Sequence, residues 1–331
     1  MEGASPMTNS NKLPHLLSQI AMAAALIAPA CAQDSNERHG EQTTQAREVE
    51  KEIIVEGAKN QRKAILKYIR ANVGEEPAGQ YAKFEDPICP SVFGFTDNVA
   101  QYIETRMRDV AEAAKAKVAG NKCNPNVHLV IVEDGPNTIN ELRAKRKGAF
   151  GQMLPYARRE LSQSPGPVYE WRVVSPIGMD GNTDRSKPSA GVSNDLSNQG
   201  GGVYALLTED PFKAGRTNVK SRILQSVRQR IGHAVVLIEK DAVIGLSPTQ
   251  IADFGVLTAL ARPDGGSDAS PSRNSIRSLF DVPQEEAPEM LTNLDLALLT
   301  SLYAARGDLR ASGQRAAMVR VFERTLEKQS P

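Results

Sequence analysis

Apolar and polar positions change their period several times along the chain, and the changes set out its elements. Residues 61 to 73 carry a helical pattern that stops at Gly74. Thr96 opens a longer helix in which Val99, Ile103, Val110 and Ala114 mark the buried face, with Gly120 as its expected stop. Val127 to Val132 is almost continuously apolar and is expected to be a central strand covered on both faces. Tyr169, Trp171 and Val173 alternate with Glu170 and Arg172, the mark of a half-buried strand. Val203 to Leu207 and Ala234 to Ile238 read as two further strands. The closing helix, 312 to 328, turns Met318, Val319, Phe322 and Leu326 inward. Helices interleaved with short strands, and no repeat of 20 to 50 residues, predict an α+β fold: a mixed sheet packed with helices in a single main domain, 61–331.

The most strongly marked stretch lies between Gly245 and Ala305. Ser247-Pro248-Thr249-Gln250 is a capping box with proline at the first helical position. After it, Ile251, Phe254, Val256, Leu257, Ala259, Leu260 and Ala261 leave almost no polar face, as in a helix buried on most sides. Asp253 is the exception. Thr292-Asn293-Leu294-Asp295 caps a second helix with Leu294, Leu298 and Leu302 on one face and Leu296, Leu299 and Tyr303 on its neighbour.

The order of these features resembles matrixin-like zinc proteases, in which a buried helix carries HExxHxxGxxH, a tight turn follows and a helix ending in Leu-Tyr closes the domain. Laid on that motif, Ala252, Val256 and Arg262 stand where the zinc-binding histidines would be, and Asp253 stands where the general-base glutamate would be. Ser275 to Phe280 resembles the turn and Leu294 to Tyr303 the closing helix. Zinc requires imidazole, thiolate or carboxylate donors, and alanine and valine offer none. The resemblance therefore implies a degenerate zincin-like layout without metal or other cofactor. Residues 79 to 326 are also similar to a family of uncharacterised secreted alphaproteobacterial proteins. That resemblance rests on Phe84-Glu85-Asp86-Pro87-Ile88-Cys89-Pro90, Cys123-Asn124-Pro125-Asn126, Gly166-Pro167-Val168-Tyr169-Glu170-Trp171, Gly245-Leu246, Ala252-Asp253 and Asn293-Leu294-Asp295-Leu296. It implies location and fold but no activity.

The first residues read as an export signal. Lys12 precedes an apolar stretch from Leu16 to Ile27, too short to span a membrane, and Ala30-Cys31-Ala32 forms a small-x-small cleavage site, so a mature chain in the periplasm or outside the cell is expected. The rival is a lipoprotein signal acylated at Cys31. Cleavage after Ala32 leaves Cys89 and Cys123, an even pair in an oxidising compartment, and a bridge closing about 35 residues is worth roughly 3–4 kcal/mol in the chain-entropy model. Residues 33–60 form a polar leader expected to be flexible. Within it, 52–57 (EIIVEG) is similar to the short box by which outer-membrane receptors pair with a partner through strand addition, although an ordinary edge segment has the same pattern.

Charge excludes some classes. Lys+Arg 40 against Asp+Glu 39 leaves +1, so no global field draws nucleic acid or an acidic membrane. Locally, Thr138 to Lys147 is a basic helix in which Arg143, Lys145, Arg146 and Lys147 form a candidate anion site or a solvated face. Lys213, Arg216, Lys220, Arg222, Arg228 and Arg230 can extend it into one positive groove. The loop 178–202 is rich in Ser, Asn, Asp and Gly, and its Asp180–Asp184 segment lacks the terminal glutamate of a calcium loop. His128 and His233 fall in or beside apolar strands and read as structural. No GxSxG nucleophile turn is present. The enzyme class that remains is a hydrolase using Asp253 with Asp295 or Glu239; the structural alternative pairs Asp253 with Arg262 or Arg277. The leading expectation is a noncatalytic binding or scaffolding protein whose partner is a peptide or an envelope protein.

Overall fold

Two long strands, β3 (Val168–Gly178) and β4 (Val227–Glu239), form the antiparallel half of a four-stranded sheet; β2 (Val127–Val132) and β1 (Pro90–Phe93) continue it in parallel, in the order β1-β2-β4-β3. The computed structural model describes residues 58–151, 153–178, 225, 227–262 and 273–329, all within one unit of the chain. The export signal, the leader up to residue 57, the loop expected over 178–202 beyond its first residue, the strand expected over 203–207 and the basic residues 213–222 lie outside the described residues.

Around the sheet stand seven helices among the described residues: α1 (Ala58–Asn72), α2 (Asp97–Ala113), α3 (Gly135–Lys145), α4 (Pro155–Leu161), α5 (Pro248–Leu260), α6 (Asn293–Ala304) and α7 (Ala311–Gln329). This is the α+β fold with a mixed sheet that the sequence predicts. β2 lies between β1 and β4 and is buried along Val127 to Ile131, which explains its unbroken apolar run: Val127 and Leu129 face the main core, while half-buried Val132 packs on the smaller cluster behind the sheet. The main core joins that face of the sheet to α1, α2, α5, α6 and α7. The cluster behind it joins Val235, Leu237, Tyr169 and Trp171 to Ile139 and Leu142 of α3 and to Phe150.

Three boundaries differ from the sequence reading. α1 begins at Ala58, so the end of the expected leader is helical. α2 ends at Ala113, well before Gly120, because Lys115 turns to a φ of 64° and the Ala116 N–H returns to the Ala111 carbonyl; the chain then reverses to lay Val118 beside Ile88. α3 starts at Gly135, where Asp134 caps the Asn137 N–H and Pro136 occupies the first turn. A helix start at Thr138 misses that cap.

The two cysteines are bridged, with Cα atoms 6.1 Å apart. The bridge ties the chain before β1 to the chain before β2 across α2. From α2, the Arg108 guanidinium lies 3.3 Å from the Cys123 sulfur and donates to the Ala119 carbonyl at 2.5 Å. Asn126 completes the junction, accepting from the Cys89 N–H at 2.8 Å and donating to the Pro87 carbonyl at 3.0 Å.

Candidate functional site

Both predicted capping boxes are formed, and they fix the two helices of the site. Ser247 accepts from the Gln250 N–H at 3.1 Å, Gln250 returns the bond to the Ser247 N–H at 3.0 Å, and Thr292 and Asp295 do the same for α6. α5 is buried at every position from Gln250 to Leu260. It can lie this close to the sheet because of Gly255, where a β-carbon would stand only 3.1 Å from the Leu129 side chain. Beneath the end of α5 runs a short 3-10 turn, Ile276–Phe280. Phe280 meets Phe254 edge to face at 4.8 Å, and Arg277 donates to the Ala261 carbonyl, a cation at a helix C-terminus. α6 follows, and Lys83 holds its end by donating to the carbonyls of Tyr303 (3.0 Å) and Ala305 (2.5 Å). Buried helix, tight turn and closing helix therefore occur in the order noted from the sequence.

The residues at the metal-ligand positions offer zinc no donor. Ala252 and Val256 are fully buried in the main core, and Arg262 is exposed beyond the helix end. No group of three or more His, Cys, Asp or Glu capable of holding a metal occurs among the described residues.

Asp253 is fully buried, and both its oxygens are occupied. Arg106 of α2 reaches it with a fork, Nε to Oδ1 at 2.7 Å and Nη2 to Oδ2 at 2.8 Å, and the Leu291 N–H adds a third bond at 2.7 Å. Its cation is thus Arg106, not Arg262 or Arg277: Arg262 lies beyond the helix end and Arg277 is turned to the helix carbonyls. Arg106 in turn is held above its ordinary pKa by that hydrogen bond.

Asp295 serves a separate set. It accepts from Ser275 Oγ (2.5 Å), the Ile276 N–H (2.9 Å), the Thr292 N–H (3.2 Å), Thr292 Oγ1 (2.9 Å) and, at 3.4 Å, the Tyr68 hydroxyl. Burial raises its pKa although the hydrogen bonds pull the other way. Glu239, at the end of β4, accepts from the Gly135 N–H at 3.1 Å and from the Tyr169 hydroxyl at 3.2 Å. The three carboxylates share no partner, so neither pairing of Asp253 assembles an acid and base around one vacancy. Each instead ties segments together: Asp253 joins α2 to the start of α6, Asp295 joins the turn to α6, and Glu239 joins β4 to α3.

The basic helix is dispersed. Arg143 donates to Asn140 at 2.6 Å, Lys145 pairs with Glu141 at 3.0 Å, and Arg146 is exposed. Lys147 begins the short turn after α3. Arg228 and Arg230 do not extend this cluster, since they meet Glu85 (3.5 Å) and Asp86 (3.0 Å). Ser91 Oγ and His128 Nδ1 are 2.8 Å apart, and the His233 ring stacks on His128 at 5.9 Å. Burial pushes the His128 pKa down to about 3, with the His233 charge a smaller contribution in the same direction.

Sequence reasoning passed over Glu170 and Arg172, placed there on the polar side of a half-buried strand. That side of β3 is also covered: Val168 and Val174 pack on the main core, and Glu170 and Arg172 are themselves half-buried. β3 stands at the end of the strand order, so its outer edge has no sheet partner among the described residues. No family model, curated protein or solved structure matches the chain.

Proposed function

We propose that this is a noncatalytic binding or scaffolding protein of the cell envelope, built on a layout that resembles a metalloprotease without its metal, and that it takes an extended peptide or partner strand along the outer edge of β3. The observation that carries the reading is the burial and engagement of Asp253. A general base needs to lie within reach of a proton to abstract, whereas Asp253 is fully buried and each of its oxygens is held, by an arginine fork and a backbone amide. The outer edge of the 11-residue β3 has no sheet partner among the described residues, and such an edge is the means by which extended peptides add to sheets. The disulfide fits an oxidising compartment, and no described helix is long and apolar enough to cross a membrane.

Asp253→Asn tests the reading. Losing the fork to a fully buried carboxylate, while Arg106 stays about a third exposed, is expected to cost about 2–3 kcal/mol in chemical denaturation. Any peptidase or esterase activity of the preparation should be unchanged. An Asn variant of unaltered stability that loses a hydrolytic activity would establish the carboxylate enzyme instead.

A further inference from the structure

The bridge between Cys89 and Cys123 has two unlike halves. Cys89 is 2% exposed, whereas Cys123 is half-buried in a run whose neighbours Asn121, Lys122 and Asn124 are exposed. One guanidinium nitrogen of Arg108, Nη2, stands 3.3 Å from the Cys123 sulfur and 4.0 Å from the Cys89 sulfur. The other terminal nitrogen holds the Ala119 carbonyl, and no ion pair within 4 Å among the described residues includes Arg108. Sulfur in a closed bridge is a weak acceptor, so the cation gains little from it. A thiolate at the same place is a far better partner, and a neighbouring arginine is what makes a cysteine reactive. The backbone around the bridge is tied separately. Ile88 donates to the Lys117 carbonyl at 2.8 Å and accepts from the Ala119 N–H at 2.9 Å, and the Asn126 N–H donates to the Cys89 carbonyl at 2.9 Å. These bonds hold the two segments together whether or not the sulfurs are joined.

From these observations we infer that the bridge is a thiol-exchange site: an external thiol attacks Cys123, and Arg108 stabilises the thiolates that form. The attacking thiolate bonds to the Cys123 sulfur, the bond to Cys89 breaks, and its electron pair leaves on the Cys89 sulfur beside Arg108. A second external thiolate attacks the outer sulfur of this mixed disulfide and releases Cys123 as a thiolate facing Arg108. Two external thiols are thereby oxidised to one disulfide, the protein bridge is reduced, and the protons of the two thiols pass to the cysteines or to solvent. In the reverse direction Cys123 attacks an oxidised thiol, and Cys89 resolves the mixed disulfide. The partner is therefore a thiol or its disulfide, and the exchange does not depend on the β3 edge.

Reduced glutathione, a monothiol, is the probe. The native full chain is incubated with it near neutral pH without denaturant, quenched with acid and digested. Loss of the bridged peptide and gain of glutathione-bearing peptides are followed by mass spectrometry. The bridge should open faster than the chain unfolds globally, as extrapolated from unfolding in urea, and the mixed disulfide should be found on Cys123 and not on Cys89. Arg108→Gln should slow opening about tenfold, and Arg108→Lys, which keeps a charge, should slow it less. A purely structural Arg108 predicts the opposite sign, because losing its bond to Ala119 loosens the junction and speeds opening. That result, or an unchanged rate, overturns the inference. So does a mixed disulfide on Cys89, or opening no faster than unfolding. If Arg108→Gln does not fold, the site and rate of opening in the unaltered chain decide, together with Arg108→Lys.

Discussion

At the scale of single residues, polar groups in the core have structural partners, and the few that lack them stand out. His128 is the clearest titratable case. Held neutral to about pH 3 by burial, it contrasts with an unfolded histidine near 6.5, and His233, lowered by burial and by the Arg230 charge, acts in the same direction. The unfolded chain therefore binds protons first as pH falls. Stability is full above about pH 6.5 and declines toward pH 3 at up to ~1.4 kcal/mol per pH unit from His128, with His233 adding to the loss in the same direction. In His128→Gln, which keeps a partner for Ser91 but cannot titrate, urea midpoints between pH 6.5 and 4 should fall less steeply. An identical slope would place the acid sensitivity elsewhere. The roles of Asp253 and Asp295 were only half legible from the sequence. Asp295 is part of a local capping box and could be read within four residues. The Arg106 partner of Asp253 lies 147 positions away, on the face of a helix that shows no special pattern.

At the scale of elements, local chemistry was readable and tertiary context was not. The boxes at Ser247 and Thr292 and the apolar run of β2 follow from propensities and caps, and they are formed as expected. β3 alternates as read, but alternation reports only that one face is more apolar; which strand stands at the sheet edge depends on pairing far along the chain. α5 depends on its close approach to β2 at Gly255. Gly255→Ala should be near neutral, since about 1 kcal/mol of helix propensity offsets a contact that Leu129 can relieve. Gly255→Val forces two further carbons into the same space and should cost about 1–3 kcal/mol. Denaturant midpoints for the pair check this; equal costs would mean that the helix moves away from the sheet freely.

At the scale of the whole molecule, the disulfide, Asp253 and Glu239 join segments distant in sequence, which fits the proposed scaffold. Replacing both Cys89 and Cys123 by serine should lower stability by roughly 3–4 kcal/mol while leaving binding at β3 unchanged, since the bridge lies at the far side of the sheet beyond β1. The measurement that tests the central claim most directly is amide hydrogen exchange along Val168–Gly178 in the protein, free and with a bound peptide. The account predicts that in the free protein amides bonded to β4 exchange slowly and those on the outer edge quickly, and that the outer set becomes protected on binding. Outer-edge amides already protected in the free protein would contradict it, because the edge on which the proposed function rests would then be closed.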